Sequence, residues 1–536
     1  MNYETTTLGK LLEKRASEFG DKTYLLYGGQ EYSYKTINEK VNQVANALLR
    51  AGVKKGVPIN MHLGNCPEFI FVVFAVAKVG AVLTPSNLAL TTKREVGYVI
   101  NHCEAVISIT QPIFLDLIKS VKPECTNLKQ IVVVGGDRAD KEITIGDDFI
   151  QGSSTTLNVA DDLSPDDVVI NMYTSGTTAM PKGVMLSHQN IISAAHSMNW
   201  AVGFTCKDRT MSGMPLFHAN ALFYSCIGSM VFGGSFLLLD KLSPTTYLKS
   251  AREYNVTHFI LPSAGCAIML AQPEDPNDPI NPVRVAITPG GPPEVIEKWR
   301  NRFRIEALEG YSLTECACAC VTPISGPHPV KAGSIGWAAP SLPYPCEVRI
   351  VDEKGNDTPA GVVGEILVKG PALTRGYFKD PEKTTETIRN GWLYTGDGGY
   401  RDEDGCFWFT ERLKDMLKPK GENVASVEVE DIIAAHPKVS DVGVIGVMDP
   451  VTGEEIKASI VLKESETAET VNPEELVKWC QEHLAKFKVP RYYEYRDTPI
   501  PRILAGAKIS KKDLRKEKAD NPMAGCYDAK TKKWIK

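Results

Sequence analysis

The sequence predicts an α/β protein built on parallel-rich sheets, with a small α+β domain at its C-terminal end. Three observations carry this expectation. Short apolar strands alternate with amphipathic helices through the first 135 residues, the rhythm of α/β units. Near the C-terminus, strands at Val442–Val447 and Lys457–Leu462 and a helix over Glu474–Leu484 suffice for a separate small core. The chain has 536 residues, 43% hydrophobic and 23% charged, which is ordinary for a globular protein and long for one domain.

Taken in order, Leu8, Leu11, Leu12, Ala16 and Phe19 recur at helical spacing behind Thr7, a helix cap. Gly28-Gly29 reads as a hairpin turn between Thr23–Tyr27 and Glu31–Tyr34. Tyr34–Leu49 is a second amphipathic helix, Ile59–Leu63 a strand, and Pro67–Val79 a largely buried helix. Further strands and helices follow at Gly80–Pro85, Ala105–Thr110, Phe114–Ser120 and Gln130–Gly135.

The next stretch carries chemistry. Tyr173-Thr174-Ser175-Gly176-Thr177-Thr178-Ala179-Met180-Pro181-Lys182-Gly183-Val184 stands between an apolar strand, Val168–Ile170, and a helix that Ser187 can cap. Four hydroxyls, two glycines and one lysine make a phosphate cradle: glycines let backbone approach, hydroxyls donate, and Lys182 brings positive charge. Ser/Thr–Gly mixtures are also common in plain loops. The Walker pattern is excluded, because Lys182 precedes Gly183 and no Ser or Thr follows it.

Downstream, Thr288-Pro289-Gly290-Gly291 follows a strand at Arg284–Ile287 and allows close ligand approach, or a plain turn. Gly310-Tyr311-Ser312-Leu313-Thr314-Glu315 gathers a ring that can stack on a base, a hydroxyl that can reach an α-phosphate, and a carboxylate suited to Mg²⁺. In Cys316-Ala317-Cys318-Ala319-Cys320, a strand would point all three thiols to one face, without the turn that wraps zinc, so they read as small apolar residues. In Thr395-Gly396-Asp397-Gly398, Asp397 can accept from both hydroxyls of a ribose.

The stretch from Tyr173 to Val184 resembles the phosphate loop of the adenylate-forming superfamily: acyl-CoA synthetases, luciferases and peptide-synthetase adenylation domains. The Tyr311–Glu315 and Tyr394–Asp397 stretches match the same family, with Ser312 where a glycine is usual. Further matches are Arg412-Leu413-Lys414-Asp415, the domain junction, and Lys420-Gly421-Glu422-Asn423, the glycine loop on the CoA side. The end signature, a lysine directly after a glycine, is irregular: Ala507 separates Gly506 from Lys508, and Lys511 is a fallback. The resemblance implies an N-terminal ATP- and acyl-binding domain over 1–412, a hinge over 413–416 at Lys414, and a mobile C-terminal domain over 417–536.

It also implies a reaction in two halves. A carboxylic acid and ATP give acyl-AMP and pyrophosphate, and CoA then displaces AMP. ATP, Mg²⁺ and CoA are the expected cofactor and substrates. Lys508, Glu315, Thr314 and His218 are the expected catalytic residues, with Glu315 holding the metal. Thr174, Ser175, Gly176, Thr177, Thr178, Lys182, Gly290, Gly291, Tyr311, Asp397 and Arg412 are the expected nucleotide contacts. The acyl pocket is expected from His218, Phe223, Gly291, Leu308, Ala317 and Val321, which suit a short-to-medium aliphatic or aryl acid. His218 stands where amino-acid-activating relatives carry Asp, which argues against an amino acid. The chain most resembles crotonobetaine/carnitine and fatty-acid CoA ligases. An enzyme loading a carrier protein, or a weakly active acyl-nucleotide-binding protein, remain alternatives.

A formal net charge of −5 gives no case for nucleic acid. No apolar run is long enough to span a bilayer, and the N-terminus does not read as a secretory signal. The 13 scattered cysteines read as reduced thiols, so a cytoplasmic location is expected. A homodimer is compatible with the resemblance.

Overall fold

The computed structural model describes residues 6–535, except 136–142, 160–161, 175–180, 262, 289–292, 326–329, 414–416, 418, 420–423, 450–452, 485 and 504–507. Side chains of a few flanking residues, Lys508 among them, are also undescribed. The chain divides into two compact units. The first comprises Met1–Arg349, Leu367–Tyr394 and Asp402–Trp408, and the second Ile350–Ile366, Thr395–Arg401 and Phe409–Lys536.

Two seven-stranded sheets organise the first unit. In spatial order one runs Ile143–Ile145, Gln130–Val133, Ile107–Thr110, Pro58–His62, Val82–Pro85, Val168–Thr174 and Lys182–Ser187. The other runs Glu306–Leu308, Val285–Ile287, His258–Ile260, Arg209–Ser212, Ser235–Leu238, Thr23–Tyr27 and Gln30–Ser33. In both, every pairing is parallel except one antiparallel edge hairpin. Parallel sheets are covered on both faces, so strands such as Ile107–Thr110 and Ser235–Leu238 are buried at every position.

Helices form where the sequence places start signals. Thr7 accepts from the Lys10 N–H at the head of Leu8–Phe19, and Ser187 accepts from the Asn190 N–H at the head of His188–Ala201. Pro67–Val79 is apolar around its whole circumference and buried accordingly. Its single cation, Lys78, is buried with all three ammonium protons used. Its Nζ donates to Glu13 Oε1, Asn38 Oδ1 and Asn42 Oδ1 at 2.7, 2.7 and 2.8 Å, pinning three helices together.

In the second unit a five-stranded sheet runs Val439–Asp449, Gly453–Leu462, Tyr492–Tyr495, Tyr527–Asp528 and Lys533–Trp534. Helices Ser426–Ala434 and Pro473–His483 contribute Val429, Ile433, Leu476 and Cys480 to a core shared with Val444, Ile456 and Tyr493. Among the described residues no helix is long and apolar enough to cross a membrane.

Candidate active site

The phosphate stretch is a hairpin rather than a strand leading into a helix. Strand Val168–Thr174 pairs antiparallel with Lys182–Ser187, and Thr174↔Lys182 is the last pair before the connection. The extra strand is hidden from the sequence because its apolar run, Val184, Met185 and Leu186, is too short to show a period. Ser175, Gly176, Thr177 and Thr178 lie outside the described residues, and Thr174 and Lys182 mark the mouth of the hairpin. Gly183 is required by packing, because a Cβ there would strike the amide of Asn171 on the partner strand. Tyr173, just inside the mouth, bonds His102 Nδ1 at 2.6 Å. Burial, then the nearby Lys379 ammonium, lowers the His102 pKa and favours a neutral ring there.

Thr314 and Glu315 occupy the tip of a tight turn. The Leu313 N–H donates to the Cys316 carbonyl at 3.0 Å, and the Cys316 N–H to the Leu313 carbonyl at 3.2 Å. The turn hangs from a short antiparallel pair, Gly310–Tyr311 with Cys320–Val321, in which Tyr311 is buried. The cysteine run is therefore not one strand: only Cys320 is in a strand, and Cys316 forms an isolated bridge with Leu373. Local periodicity cannot reveal that bridge, whose partner lies more than fifty residues away. Cys316, Cys318 and Cys320 are all buried, and burial raises their pKa values, with a hydrogen bond to Cys346 the leading cause at Cys316.

The bridging residue, Leu373, leads directly into Thr374-Arg375-Gly376-Tyr377-Phe378. This segment docks between the hairpin and the Glu315 turn. The Arg375 N–H reaches the Met185 carbonyl and the Met185 N–H the Gly376 carbonyl, both at 2.9 Å, and the Thr374 N–H reaches the Glu315 carbonyl at 2.7 Å. Gly376 has φ of +112°, a conformation that disfavours any side chain, and a Cβ would also meet Thr384. Tyr377 then donates its hydroxyl to Glu315 Oε1 at 2.8 Å, while Lys182 Nζ lies 5.6 Å from its ring centroid. Lys182 also pairs with Asp380 at 3.7 Å. One ring thus touches both the phosphate-loop cation and the candidate metal carboxylate.

Glu315 suits Mg²⁺ on its chemistry. It is a partly exposed carboxylate whose Oε1 accepts from Tyr377, and Oε2 is the oxygen that would face a hard cation taking its remaining ligands from phosphates.

On the acyl side, Asn65 clasps the chain ahead of His218. Its Nδ2 donates to the carbonyls of Met214 and Leu239 at 3.0 and 2.9 Å, and its Oδ1 accepts from the Leu216 N–H at 2.9 Å. The His218 N–H closes onto the Pro215 carbonyl at 3.1 Å, and a π-helical run, Asn220–Ile227, follows. His218 is exposed, and desolvation by the surrounding protein lowers its pKa. Phe223, Leu308, Ala317 and Val321 are no more than 2% exposed, so of the described acyl candidates His218 alone offers a ligand appreciable surface. Tyr224 holds the same wall from behind, donating its hydroxyl to the Ala317 carbonyl. Gly290 and Gly291 lie outside the described residues.

In the second unit, Asp397 and Arg412 come together, with Arg412 Nε 3.5 Å from Asp397 Oδ1. Asp397 is 3% exposed, and its N–H is anchored at 3.0 Å to the Thr395 hydroxyl. Lys511 is occupied elsewhere. Its ammonium is held between Glu411 at 3.3 Å and Glu430 at 3.5 Å and also donates to Ser426 Oγ. Lys508 lies in a two-stranded hairpin, paired opposite Ile503, with residues 504–507 as the connection. The extra Ala507 lies outside the described residues. Lys414, Lys420, Gly421 and Glu422 lie outside the described residues.

The chain is similar to known proteins over nearly its whole length. Residues 12–378 match the family model described as AMP-binding enzyme, and residues 428–503 that described as AMP-binding enzyme C-terminal domain. A crotonobetaine/carnitine–CoA ligase of Salmonella agona (strain SL483) is 34% identical over 526 residues, covering 95% of this chain and 98% of the relative. The corresponding ligase of Citrobacter koseri (strain ATCC BAA-895 / CDC 4225-83 / SGSC4696) is 33% identical over 521 residues, 95% of this chain and 98% of the relative. The structure of the anthranilate CoA ligase AuaEII in complex with anthranoyl-AMP superposes with a TM-score of 0.85 at 27% identity, covering 96% and 99% of the two chains. ATP-bound MatB from Rhodopseudomonas palustris gives 0.84 at 27% identity, covering 97% and 99%. The chain belongs to the AMP-binding enzymes, the adenylate-forming superfamily, in its AMP-forming acid–thiol ligase branch.

Proposed function

We propose that the protein is an ATP-dependent carboxylic acid–CoA ligase. The carboxylate of the acid attacks the α-phosphorus of ATP, giving acyl-AMP and pyrophosphate. The thiol of CoA then attacks the acyl carbon and AMP leaves. The observation that carries this reading is the near full-length match to chains named CoA ligases. The Thr314–Glu315 turn and Lys182, tied through Tyr377, support it.

No covalent enzyme intermediate is needed, so the chain contributes positioning and charge stabilisation. Lys182 at the mouth of the hairpin attracts the β- and γ-phosphates. The Thr314 hydroxyl donates to an α-phosphate oxygen. Mg²⁺, bound with the nucleotide, would neutralise phosphate charge, and Glu315 would hold it. Tyr311 stacks on the adenine, while Gly290 and Gly291 let backbone approach the nucleotide. Asp397 accepts from the ribose hydroxyls and Arg412 steadies that carboxylate. Lys508 offsets charge developing on the α-phosphate. Rotation of the C-terminal domain about Lys414 brings Lys420, Gly421 and Glu422 to the CoA side for the second step.

The acid is short to medium in length, aliphatic or aryl, and held by His218 through a neutral hydrogen bond. Its lowered pKa keeps the imidazole uncharged at pH 7. His218→Ala is expected to raise KM for the acid about tenfold, the worth of one hydrogen bond, with KM for ATP unchanged. Initial rates with each substrate varied in turn check this, and equal shifts in both KM values would place His218 outside the acyl site. Crotonobetaine and carnitine, named in the relatives, belong in any panel of acids tested. Loading of a carrier protein is the second reading, and AMP release without CoA, dependent on an added carrier domain, would favour it.

A further inference from the structure

We propose that Tyr377 is a positioning residue for the nucleotide end of the site, setting the Glu315 carboxylate and the Lys182 ammonium relative to one another before ATP arrives. The inference rests on the reading of Glu315 as the metal carboxylate, and goes beyond it.

Two contacts of different kinds meet on one side chain. The hydroxyl donates to Glu315 Oε1 at 2.8 Å, and the ring lies 5.6 Å from Lys182 Nζ. A phenol donating to a carboxylate makes a charge-assisted hydrogen bond, short and directional, which fixes the plane of the acceptor. It occupies Oε1, and Oε2 is the oxygen that would face a hard cation. The cation–π contact with Lys182 is softer. Lys182 is further restrained by Asp380, which also caps the helix Pro381–Thr387 by accepting from the Lys383 N–H.

The ring has little freedom to wander. It is 7% exposed, and the Tyr377 N–H is bonded to the Thr384 hydroxyl at 2.9 Å. The backbone on either side is stitched down, at Arg375 to the Met185 carbonyl and at Phe378 to the Gly183 carbonyl, the latter at 2.8 Å. A rigid donor between two elements that must hold opposite ends of a metal–nucleotide complex fits alignment, a role that packing alone would not require.

Two substitutions separate the contacts. Tyr377→Phe keeps the ring and removes the donor, and Tyr377→Leu removes both. Equilibrium binding of ATP is titrated calorimetrically across a range of Mg²⁺ concentrations, with no acid and no CoA present. Tyr377→Phe is expected to raise the Mg²⁺ concentration for half-maximal ATP binding five- to tenfold, with affinity at saturating Mg²⁺ within twofold of wild type. Tyr377→Leu is expected to show the same shift and to lose a further three- to fivefold in affinity at saturating Mg²⁺. A Tyr377→Phe protein with unchanged or lower Mg²⁺ requirement overturns the proposal. So does an equal loss of ATP affinity at every Mg²⁺ concentration, which is what loosened packing alone would give. Glu315→Gln runs in parallel. If it shifts the Mg²⁺ requirement and Tyr377→Phe does not, the proposal alone falls; if Glu315→Gln shifts nothing, the reading of Glu315 fails and takes the proposal with it.

Discussion

Lys508→Ala is expected to slow acyl-adenylate formation by about 10²–10³-fold, the cost of removing one preorganised charge from the developing transition state. Thioester formation from supplied acyl-AMP should stay within a fewfold of wild type, because that half-reaction no longer builds charge on a phosphate that is losing pyrophosphate. Irregular spacing around Gly506-Ala507-Lys508 makes the test informative. The hairpin keeps Lys508 in register with Ile503, so the additional residue need not shift the lysine along its strand. Single-turnover measurement of each half-reaction checks the assignment, and survival of both would remove Lys508 from the adenylation step.

Lys511→Met should destabilise the C-terminal domain by about 3–5 kcal/mol, the usual cost of leaving a buried charge without its partner. Glu411 and Glu430 share the one ammonium, and Glu411 also accepts from the Ser426 N–H at 2.6 Å. Desolvation is the leading cause that pushes the Glu430 carboxyl up to about 7, against the pull of Lys511. The sign follows from proton linkage. Between the ordinary carboxyl value of 4.5 and about 7, the folded state binds more protons than the unfolded one, so Glu430 erodes stability as pH rises through that window. Without Lys511 both carboxylates resist ionisation further and the erosion continues above pH 7. Denaturant unfolding at several pH values should therefore show the variant's deficit growing from pH 5 to pH 8. A deficit that is flat with pH would mean Lys511 acts through packing rather than charge.

Much of the architecture was legible because it is written locally. Thr7 and Ser187 cap the helices they were expected to cap, and the all-apolar face of Pro67–Val79 announces burial. Glu315 and Lys182 were legible as chemistry, from residue type and spacing. What was hidden is long-range. The strand Lys182–Ser187 has too short an apolar run to show a period, and its existence depends on pairing with Val168–Thr174. Tyr377 becomes part of the site only through backbone bonds that carry residues 374–378 onto Met185 and Glu315, contacts no local pattern encodes. Lys511, the fallback lysine of the irregular end signature, lies between two carboxylates distant in the sequence, a setting no local pattern encodes. The acyl candidates show the same limit from the other side. Phe223, Leu308, Ala317 and Val321 are apolar and close in type to what a pocket needs, but only packing decides which apolar side chains face a ligand.

The central claim is tested most directly by measuring pyrophosphate release and product formation with ATP and Mg²⁺ over a panel of carboxylic acids, with and without CoA. The account predicts pyrophosphate release with at least one short-to-medium aliphatic or aryl acid, and conversion of that acid to its CoA thioester with stoichiometric AMP only when CoA is present. Pyrophosphate release with no acid accepted, or an acyl-adenylate that CoA fails to discharge, would contradict it.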